Sequence, residues 1–213
     1  MKLTIVTDAE GWFVPYAKQL AELLVAEGHE AAVASSYDEI PPGGDASFFL
    51  SCTRIAHPET LARSRHNLVV HQSDLPRGRG WSPLAWQVLE GRNEIPVCLF
   101  EAEEGLDEGD VYYRAVIRLE GHELVDELRR AQAASAIELC LRFAREYPDV
   151  AATPQEGEPT YYARRTPADG RLDPSASLAE QFDLIRISDN ERYPVYFELR
   201  GHTYELRVVE RSS

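Results

Sequence analysis

The sequence of 213 residues predicts an α/β fold, in which a Rossmann-like, largely parallel sheet is flanked by helices and followed by a small C-terminal helix and β-hairpin. Two observations predict this fold class. Short apolar strands alternate with amphipathic helices through the first half of the chain, as in domains built on parallel sheets. The run Leu68-Val69-Val70 is entirely apolar, which is typical of a strand that is buried on both faces.

The elements of the main domain follow from local patterns. The predicted strands are rich in apolar and β-branched residues and cover residues 2–7, 30–35, 46–51, 67–71, 95–101 and 112–119. The predicted helices have apolar residues at helical spacing and cover residues 14–28, 58–65, 83–90 and 123–147. We expect these elements to form one domain over residues 1–150. Parallel sheets bind ligands beyond the carboxyl ends of their strands, which directs attention to the residues after Ser51 and His71.

The character of the sequence changes after Tyr147. A polar linker with two prolines covers residues 148–157, and an amphipathic helix is predicted over residues 178–187. Two strands, at residues 194–199 and 203–209, flank Arg200-Gly201-His202, which is a hairpin signal. We therefore expect residues 151–213 to form a C-terminal extension, whose hairpin offers an edge for a homodimer.

The charge and composition disfavour several classes of protein. The formal net charge is −14, from 36 acidic and 22 basic residues, whereas nucleic-acid binding depends on Lys and Arg that neutralise phosphates. Since no basic stretch exceeds Arg164-Arg165, we expect no nucleic-acid partner, although a small phosphorylated ligand needs only a few local arginines. No apolar run reaches the roughly 20 residues that span a bilayer, and the N-terminus opens a strand rather than a signal peptide. We expect a cytoplasmic protein with no membrane partner.

The three cysteines do not suggest a metal or redox site. Cys52, Cys98 and Cys140 each lie among apolar residues and have no C-x-x-C spacing. We expect buried thiols in a reducing compartment, and no bound metal.

The stretch from His71 to Pro83 has the pattern of a functional site. A histidine ends an apolar strand, and a loop rich in Pro and Gly leads from it into a helix. An acidic loop, Leu106-Asp107-Glu108-Gly109-Asp110, follows a later strand and would meet the first loop beyond the same sheet edge. A lone histidine at the end of a strand is more often structural, but its pairing with an acidic loop and an arginine-containing loop favours function.

The pattern H-x-S-x-L-P-x-x-R-G-x-x-P from His71 to Pro83, followed by D-x-G at Asp107 and Gly109, resembles the folate-dependent formyltransferase family. That family includes methionyl-tRNA, glycinamide ribonucleotide and aminosugar formyltransferases. The resemblance covers residues 1–119 well and the C-terminal third more loosely. It implies an enzyme that moves a formyl group from its co-substrate, N10-formyltetrahydrofolate, to an amine.

The resemblance also implies roles for two residues. His71 would exchange protons with the amine and stabilise the oxyanion of the tetrahedral intermediate, because an imidazole titrates near neutral pH. Asp107 would orient His71 or stabilise its charge, directly or through water. The structural alternatives are that His71 caps the end of a strand and that Asp107 begins a turn.

One position departs from the family pattern. The family has an asparagine two residues before the histidine, where its amide donates to the formyl oxygen, and this sequence has Val69 there. Asn67 lies on the same side of a regular strand, but a two-residue shift displaces a side chain by about 6.6 Å. Asn67 is therefore a candidate donor only if the backbone is irregular, and otherwise it simply starts a strand. Losing one oxyanion donor typically costs about 2.7–4 kcal/mol of transition-state stabilisation.

Two segments resemble the walls of the folate site in this family. One follows the third strand, resembles the segment whose backbone holds the pterin ring, and consists of Cys52, Thr53, Arg54 and Ile55. The other leads into Asp107 and includes Glu104 and Leu106.

Three branches of the family can be weighed. Residues 7–13 are acidic and aromatic with a single glycine, which disfavours the glycinamide ribonucleotide branch and its Gly-rich phosphate loop. Methionyl-tRNA formyltransferases carry a basic C-terminal domain, for which this sequence has neither the length nor the charge. A deformylating hydrolase of the family would carry a further regulatory domain. The aminosugar branch is therefore favoured.

The C-terminal third is similar to the tail of sugar N-formyltransferases at residues 164–170, 185–186 and 193–194, and residues 67–71 and 80–83 are similar to formyltransferases of pseudaminic-type pathways. The predicted substrate is thus the amine of a sugar or sugar nucleotide. The candidate residues for contacting a nucleotide, a carboxylate or a ring are Arg77, Arg79, Trp81 and Arg192. Two alternatives stay open: another small amine, and a non-catalytic folate- or sugar-binding module of the same fold, which Val69 favours.

Overall fold

The computed structural model describes residues 1–211. Its strands, in chain order, are β1 (Lys2–Val6), β2 (Glu30–Ala34), β3 (Gly44–Phe49), β4 (Ser64–His71), β5 (Arg79–Gly80), β6 (Glu94–Glu101), β7 (Val111–Arg118), β8 (Tyr161–Tyr162), β9 (Val195–Leu199) and β10 (His202–Leu206). Its α-helices are α1 (Val14–Ala26), α2 (Pro58–Leu61), α3 (Pro83–Leu89), α4 (Val125–Glu146) and α5 (Phe182–Arg186).

Six strands form the main sheet in the order β2-β1-β3-β4-β6-β7. The first four are parallel neighbours, whereas β6 pairs antiparallel with both β4 and β7. The prediction of a largely parallel α/β sheet is therefore confirmed, and so is the C-terminal hairpin, which is formed by β9 and β10. The parallel half brings the carboxyl ends of β1, β3 and β4 to one edge of the sheet, where a ligand site is expected.

The main core lies between one face of the sheet and the long helices. Leu20 of α1 and Phe143 of α4 belong to the same buried cluster as Ile5 and Phe48 of the sheet. The rings of Phe48 and Phe143 meet edge to face, with their centroids 6.2 Å apart. Burying a side chain of this size contributes about 1.5–3 kcal/mol, so this layer accounts for much of the folding energy.

Several boundaries differ from the predicted ones. Helix α2 ends four residues earlier than expected, because residues 64–66 extend β4 and pair with β3 instead. The predicted helix at 178–187 shortens to α5, since Glu180 and Gln181 use their side chains to bond Ser177 and Asp173 in a preceding loop. The two-residue strands β5 and β8 were not predicted. Each is too short to show a residue pattern, and the two lie far apart in the sequence.

Helix α5 is fixed to the main domain by a buried arginine. The side chain of Arg186 is 1% exposed. Its guanidinium donates to Asp183 Oδ1 at 2.7 Å and to Asn93 Oδ1 at 2.9 Å, and it lies 3.5 Å from Glu123 Oε2. Asn93 and Glu123 belong to the main domain, so this contact joins the C-terminal extension to the sheet and its helices.

Within residues 1–211, no helix is both long enough and apolar enough to cross a membrane.

We predict that Arg186→Ala lowers the free energy of unfolding by about 3 kcal/mol, because removing one partner of a buried ion pair leaves the other charges uncompensated. Urea denaturation measures this change. Arg171→Ala is the matched control, since Arg171 pairs with Glu198 at the surface and such pairs contribute about 0–1 kcal/mol. Equal effects of the two substitutions would contradict the anchoring role of Arg186.

Candidate active site

A cavity of about 790 Å³ opens at the carboxyl ends of the parallel strands. Its walls include Asp8 after β1, Cys52 after β3 and His71 at the end of β4. The loop between β6 and β7, helix α4 and parts of the C-terminal third, including residues 164–167, also line it. The site that the strand order predicts is therefore a real concavity, large enough for two small ligands side by side.

The cavity reaches both faces of the sheet around β4. On one side, which we call the Phe49 side, Val69 packs with Phe49 and Phe100. On the other side, the Trp12 side, Val70 belongs to the main core together with Phe13, and Trp12 packs against that core. Because β4 separates the two sides and ends at His71, the imidazole of His71 lies where the two sides join.

The imidazole of His71 is held in one orientation. Its side chain is 8% exposed, and Nε2 lies 2.8 Å from the carbonyl oxygen of Gly78. A carbonyl can only accept, so this bond places a proton on Nε2 and leaves the lone pair of the neutral ring on Nδ1. The ring of Phe100 stands edge-on to the imidazole, with the centroids 6.4 Å apart.

The carboxylate of Asp107 meets this histidine. Asp107 Oδ2 lies 3.8 Å from His71 Nε2, and the carboxylate is only 12% exposed. The same oxygen accepts the backbone N–H of Gly80 at 2.8 Å. Asp107 has a φ of +54°, a left-handed conformation that Asp adopts more readily than most residues. The structure therefore brings together the two side chains that the sequence paired.

Two motif glycines permit this convergence. Gly80 has a φ of +105°, and a Cβ there would lie 2.4 Å from the carbonyl oxygen of Tyr162. A Cβ on Gly109 would lie 1.8 Å from the carbonyl oxygen of Glu101. Any other residue at either position would push apart the backbones that carry Asp107 and its hydrogen-bond donor.

The chain matches the family model described as formyl transferase over residues 18–142. The chain belongs to this family. The resemblance read from the motif is therefore confirmed at the level of the formyl transferase family.

The curated relatives that match this chain are longer proteins. The methionyl-tRNA formyltransferase of Symbiobacterium thermophilum is 34% identical over 150 residues, which are 68% of this chain and 45% of that protein. The chain spans less than half the length of the curated relatives it matches, between 35% and 48%.

Solved structures of low sequence identity share the fold. A methionyl-tRNA formyltransferase from Clostridium thermocellum matches with a TM-score of 0.82 at 20% identity, covering 100% of this chain and 94% of that one. A sugar N-formyltransferase from a Shewanella species matches with a TM-score of 0.70 at 13% identity, covering 100% and 99%. HypX from Aquifex aeolicus, in complex with tetrahydrofolic acid, matches with a TM-score of 0.74 at 18% identity, covering 95% and 36%.

Most of the residues compared with the folate walls of the formyl transferase family line the cavity. Cys52, Thr53, Arg54 and Ile55 lie on the Phe49 side, and Leu106 lines the cavity beside Asp107. Glu104 is exposed and is not part of the lining.

Within this wall, Arg54 contributes a cation and Cys52 contributes a buried thiol. The guanidinium of Arg54 lies over the ring of Tyr37, 5.0 Å from its centroid, and the Tyr37 hydroxyl donates to the Arg54 carbonyl. Burial raises the pKa of the Cys52 thiol to about 12, and the nearby Asp8 carboxylate acts in the same direction. Cys52 is thus a neutral wall residue rather than a nucleophile.

Two of the four predicted substrate residues lie elsewhere. Trp81 and Arg192 line the cavity, but Arg77 is exposed outside it. Arg79 is buried and donates to Glu108 Oε1 at 3.0 Å and to Gln155 Oε1 at 2.8 Å. The structure does not support substrate contact by Arg79 or Arg77, because the Arg79 guanidinium is bonded within the protein and Arg77 does not line the cavity.

Asn67 is also placed away from the cavity. Its amide donates to the carbonyl oxygens of Leu61 at 2.9 Å and Ser64 at 3.4 Å. The pairing of β4 with β3 is continuous from Asn67 to Val69, so no bulge brings the amide forward. The interpretation of Asn67 as an oxyanion donor is therefore wrong, and Val69 lines the cavity in place of the family asparagine.

The C-terminal third contributes more of the site than the sequence suggested. Arg164, Arg165 and Tyr193 line the cavity, although they lie beyond the segment that matches the family model. Arg129 of α4 lines it as well, bonded to Asp189 at 2.6 Å with its guanidinium 5.8 Å from the Trp12 ring. No motif marked Trp12, Arg129 or Asp189, because only the packing of the extension brings them to one place.

Proposed function

We propose that this protein is an N-formyltransferase that moves a formyl group from N10-formyltetrahydrofolate to the amine of a sugar or sugar nucleotide. The observation that supports it best is the buried pair of His71 and Asp107 at the junction of the two sides of the cavity. A histidine next to a carboxylate suits proton transfer near neutral pH.

The reaction proceeds by addition and elimination at the formyl carbon. The lone pair of the neutral amine attacks the carbon, and the carbonyl electrons move onto oxygen. His71 accepts the amine proton on Nδ1, the nitrogen that the Gly78 bond leaves free, and Asp107 balances the charge of the resulting imidazolium. The intermediate collapses, N10 of the folate leaves with the proton that His71 gives back, and the products are the N-formyl compound and tetrahydrofolate.

The Phe49 side suits the folate. Cys52, Ile55 and Leu106 give it apolar walls for a pterin ring, and Arg54 supplies a cation at its outer part for a carboxylate of the folate. This placement puts the formyl group near His71, at the end of β4.

The arginines that the C-terminal third adds to the cavity support an anionic amine substrate. Within residues 1–211, Arg164, Arg165 and Arg192 have no carboxylate partner, although 11 other arginines do. Burial lowers the pKa of the Arg165 guanidinium, and its buried Nε has no hydrogen-bond partner within the described residues. In a chain with a net charge of −14, cations collected in one cavity favour a small anion such as a nucleoside diphosphate.

A tRNA-linked amine is the second candidate, and it is favoured by the names of the curated relatives. The negative net charge argues against it, because each phosphate contact needs a cation from the protein. The absence of a nucleic-acid partner stays a prediction.

A substrate panel separates these candidates. The protein is incubated with N10-formyltetrahydrofolate and either nucleotide-linked aminosugars, free aminosugars or methionyl-tRNA, and release of tetrahydrofolate is measured. We expect turnover with a nucleotide-linked aminosugar. Turnover with methionyl-tRNA alone would replace the sugar proposal by the second candidate, and folate binding without any turnover would indicate a non-catalytic module.

Arg165→Gln tests the anion site. We expect the KM for the nucleotide-linked sugar to rise about tenfold or more, since a hydrogen bond to a charged group contributes about 1.5–3 kcal/mol. The KM for N10-formyltetrahydrofolate should stay within about twofold, because this proposal assigns Arg165 to the amine substrate. Arg118→Gln is the control, since Arg118 is exposed on β7 outside the cavity. An unchanged sugar KM in the Arg165 variant would refute this assignment.

The catalytic pair is tested by His71→Ala and Asp107→Asn. We expect each to lower kcat by about 10²–10⁴-fold, the range for loss of a general acid–base group or of the residue that orients it. Steady-state kinetics with folded, monodisperse protein measures the loss. His122→Ala is the control, because His122 is exposed at the surface. A kcat within tenfold of the parent for either variant would mean that other residues carry the chemistry.

Val69→Asn restores the amide that the family places beside the formyl oxygen. We expect the single-turnover rate of transfer to rise, by up to about a hundredfold, because one oxyanion donor is worth that much or more. Stability should fall by about 1–3 kcal/mol, since the amide enters an apolar cluster. Val69→Ala lacks any side-chain donor and serves as the control. A slower rate in the Asn variant than in the Ala variant would show that Val69 does not face the formyl oxygen.

A further inference from the structure

The segment from Thr153 to Tyr162 contacts the loop that carries Asp107 and the backbone of residues 78–80, which bonds both His71 and Asp107. Thr153 pairs with Val111 at the start of β7, through backbone bonds of 2.8 and 2.9 Å. At its other end, β8 pairs in parallel with β5, and the Gly78 N–H donates to Thr160 Oγ1 at 2.9 Å. Gln155 lies between these two attachments.

The amide of Gln155 clamps the backbone of the Asp107 loop. Its Nε2 donates to the carbonyl oxygen of Asp107 at 2.8 Å and to that of Gly109 at 2.8 Å. An amide nitrogen has two hydrogens, so both bonds form at once. The clamp spans the turn on which Asp107 takes its left-handed conformation.

Arg79 fixes the orientation of that amide. Its Nη2 donates to Gln155 Oε1 at 2.8 Å, so the Gln155 oxygen faces Arg79 and the nitrogen faces the loop. Its Nη1 donates to Glu108 Oε1 at 3.0 Å, on the same loop. Arg79 is buried beneath both contacts, and a flipped amide would bring the Nε2 hydrogens against the guanidinium.

The carboxylate of Asp107 has one strong contact of its own. Its Oδ2 accepts the Gly80 N–H, and it lies 3.8 Å from His71 Nε2. If the backbone of residues 107–109 turned, the carboxylate would leave both Gly80 and His71. The distance between the catalytic groups therefore depends on a main-chain conformation that Gln155 holds.

We propose that Gln155, oriented by Arg79, is a positioning residue that holds the Asp107 loop so that the carboxylate faces His71. The kinetic part of this inference rests on the proposed formyl transfer. The C-terminal extension thereby acts on catalysis as well as on substrate contact.

Gln155→Glu is the central variant. Glutamate has the same length and still accepts from Arg79, but an ionised carboxylate has no hydrogen to donate to the two carbonyls. We expect kcat to fall about tenfold to a hundredfold, while both KM values stay within about twofold, because only the alignment of the catalytic pair changes. Gln181→Glu is the matched control, since the Gln181 side chain bonds a different loop of the extension.

A double-mutant cycle with Asp107→Asn separates positioning from general damage. If Gln155 acts through Asp107, Gln155→Glu should change kcat by less than about twofold once the carboxylate is gone. An equal loss of kcat in both backgrounds would overturn the proposal, and so would a Gln155→Glu variant with the parent kcat.

Hydrogen exchange of the Gly80 N–H reads the position of Asp107 without any substrate. We expect Gln155→Glu to raise its exchange rate about tenfold or more, while the neighbouring Trp81 N–H, which donates to Tyr162, stays protected. Unchanged Gly80 exchange, or equal loss of protection at both amides, would overturn the proposal. If the parent protein transfers no formyl group, the proposed function fails, and this exchange measurement still decides the positioning role.

Discussion

The candidate site depends on one close approach, between the backbone of residues 78–80 and the strand that contains Tyr162. The carbonyl of Gly78 holds His71, and the N–H of Gly80 holds Asp107. Both groups are presented correctly only while this loop lies against β8, where a Cβ on Gly80 would meet the Tyr162 carbonyl at 2.4 Å. The geometry of the candidate catalytic pair is therefore set by backbone groups, which fix the positions of both side chains.

The same arrangement explains how the site combines opposite charges. The Asp107 carboxylate accepts a hydrogen bond from a backbone N–H and lies against the imidazole of His71, so it needs no arginine from the cavity. Arg79, which could have neutralised it, is instead occupied by Glu108 and Gln155. Arg164, Arg165 and Arg192 also line the cavity, and in the proposed function they bind the anionic part of the substrate.

The sequence was sufficient for those features that depend on local pattern. The apolar run at Leu68–Val70 and the motif beginning at His71 predicted the central strand, the strand-end histidine and its distant aspartate. What it could not predict depends on contacts between segments far apart in the chain. Arg79 fits a substrate role by its place in the loop after His71, and only its burial and its bond to Gln155 show otherwise. The prediction for Asn67 failed because strand register, rather than residue type, decides which side chain reaches the cavity.

The parallel pairing of β5 with β8 joins Arg79 to Tyr161 and therefore closes a long stretch of chain. Closing such a stretch costs conformational entropy before any contact is gained, so it follows the formation of more local structure. The sheet and its main core can thus be complete while the catalytic groups are still unaligned. During synthesis, the competent site would appear only after residue 162 has left the ribosome, which makes maturation of activity a later event than acquisition of the fold.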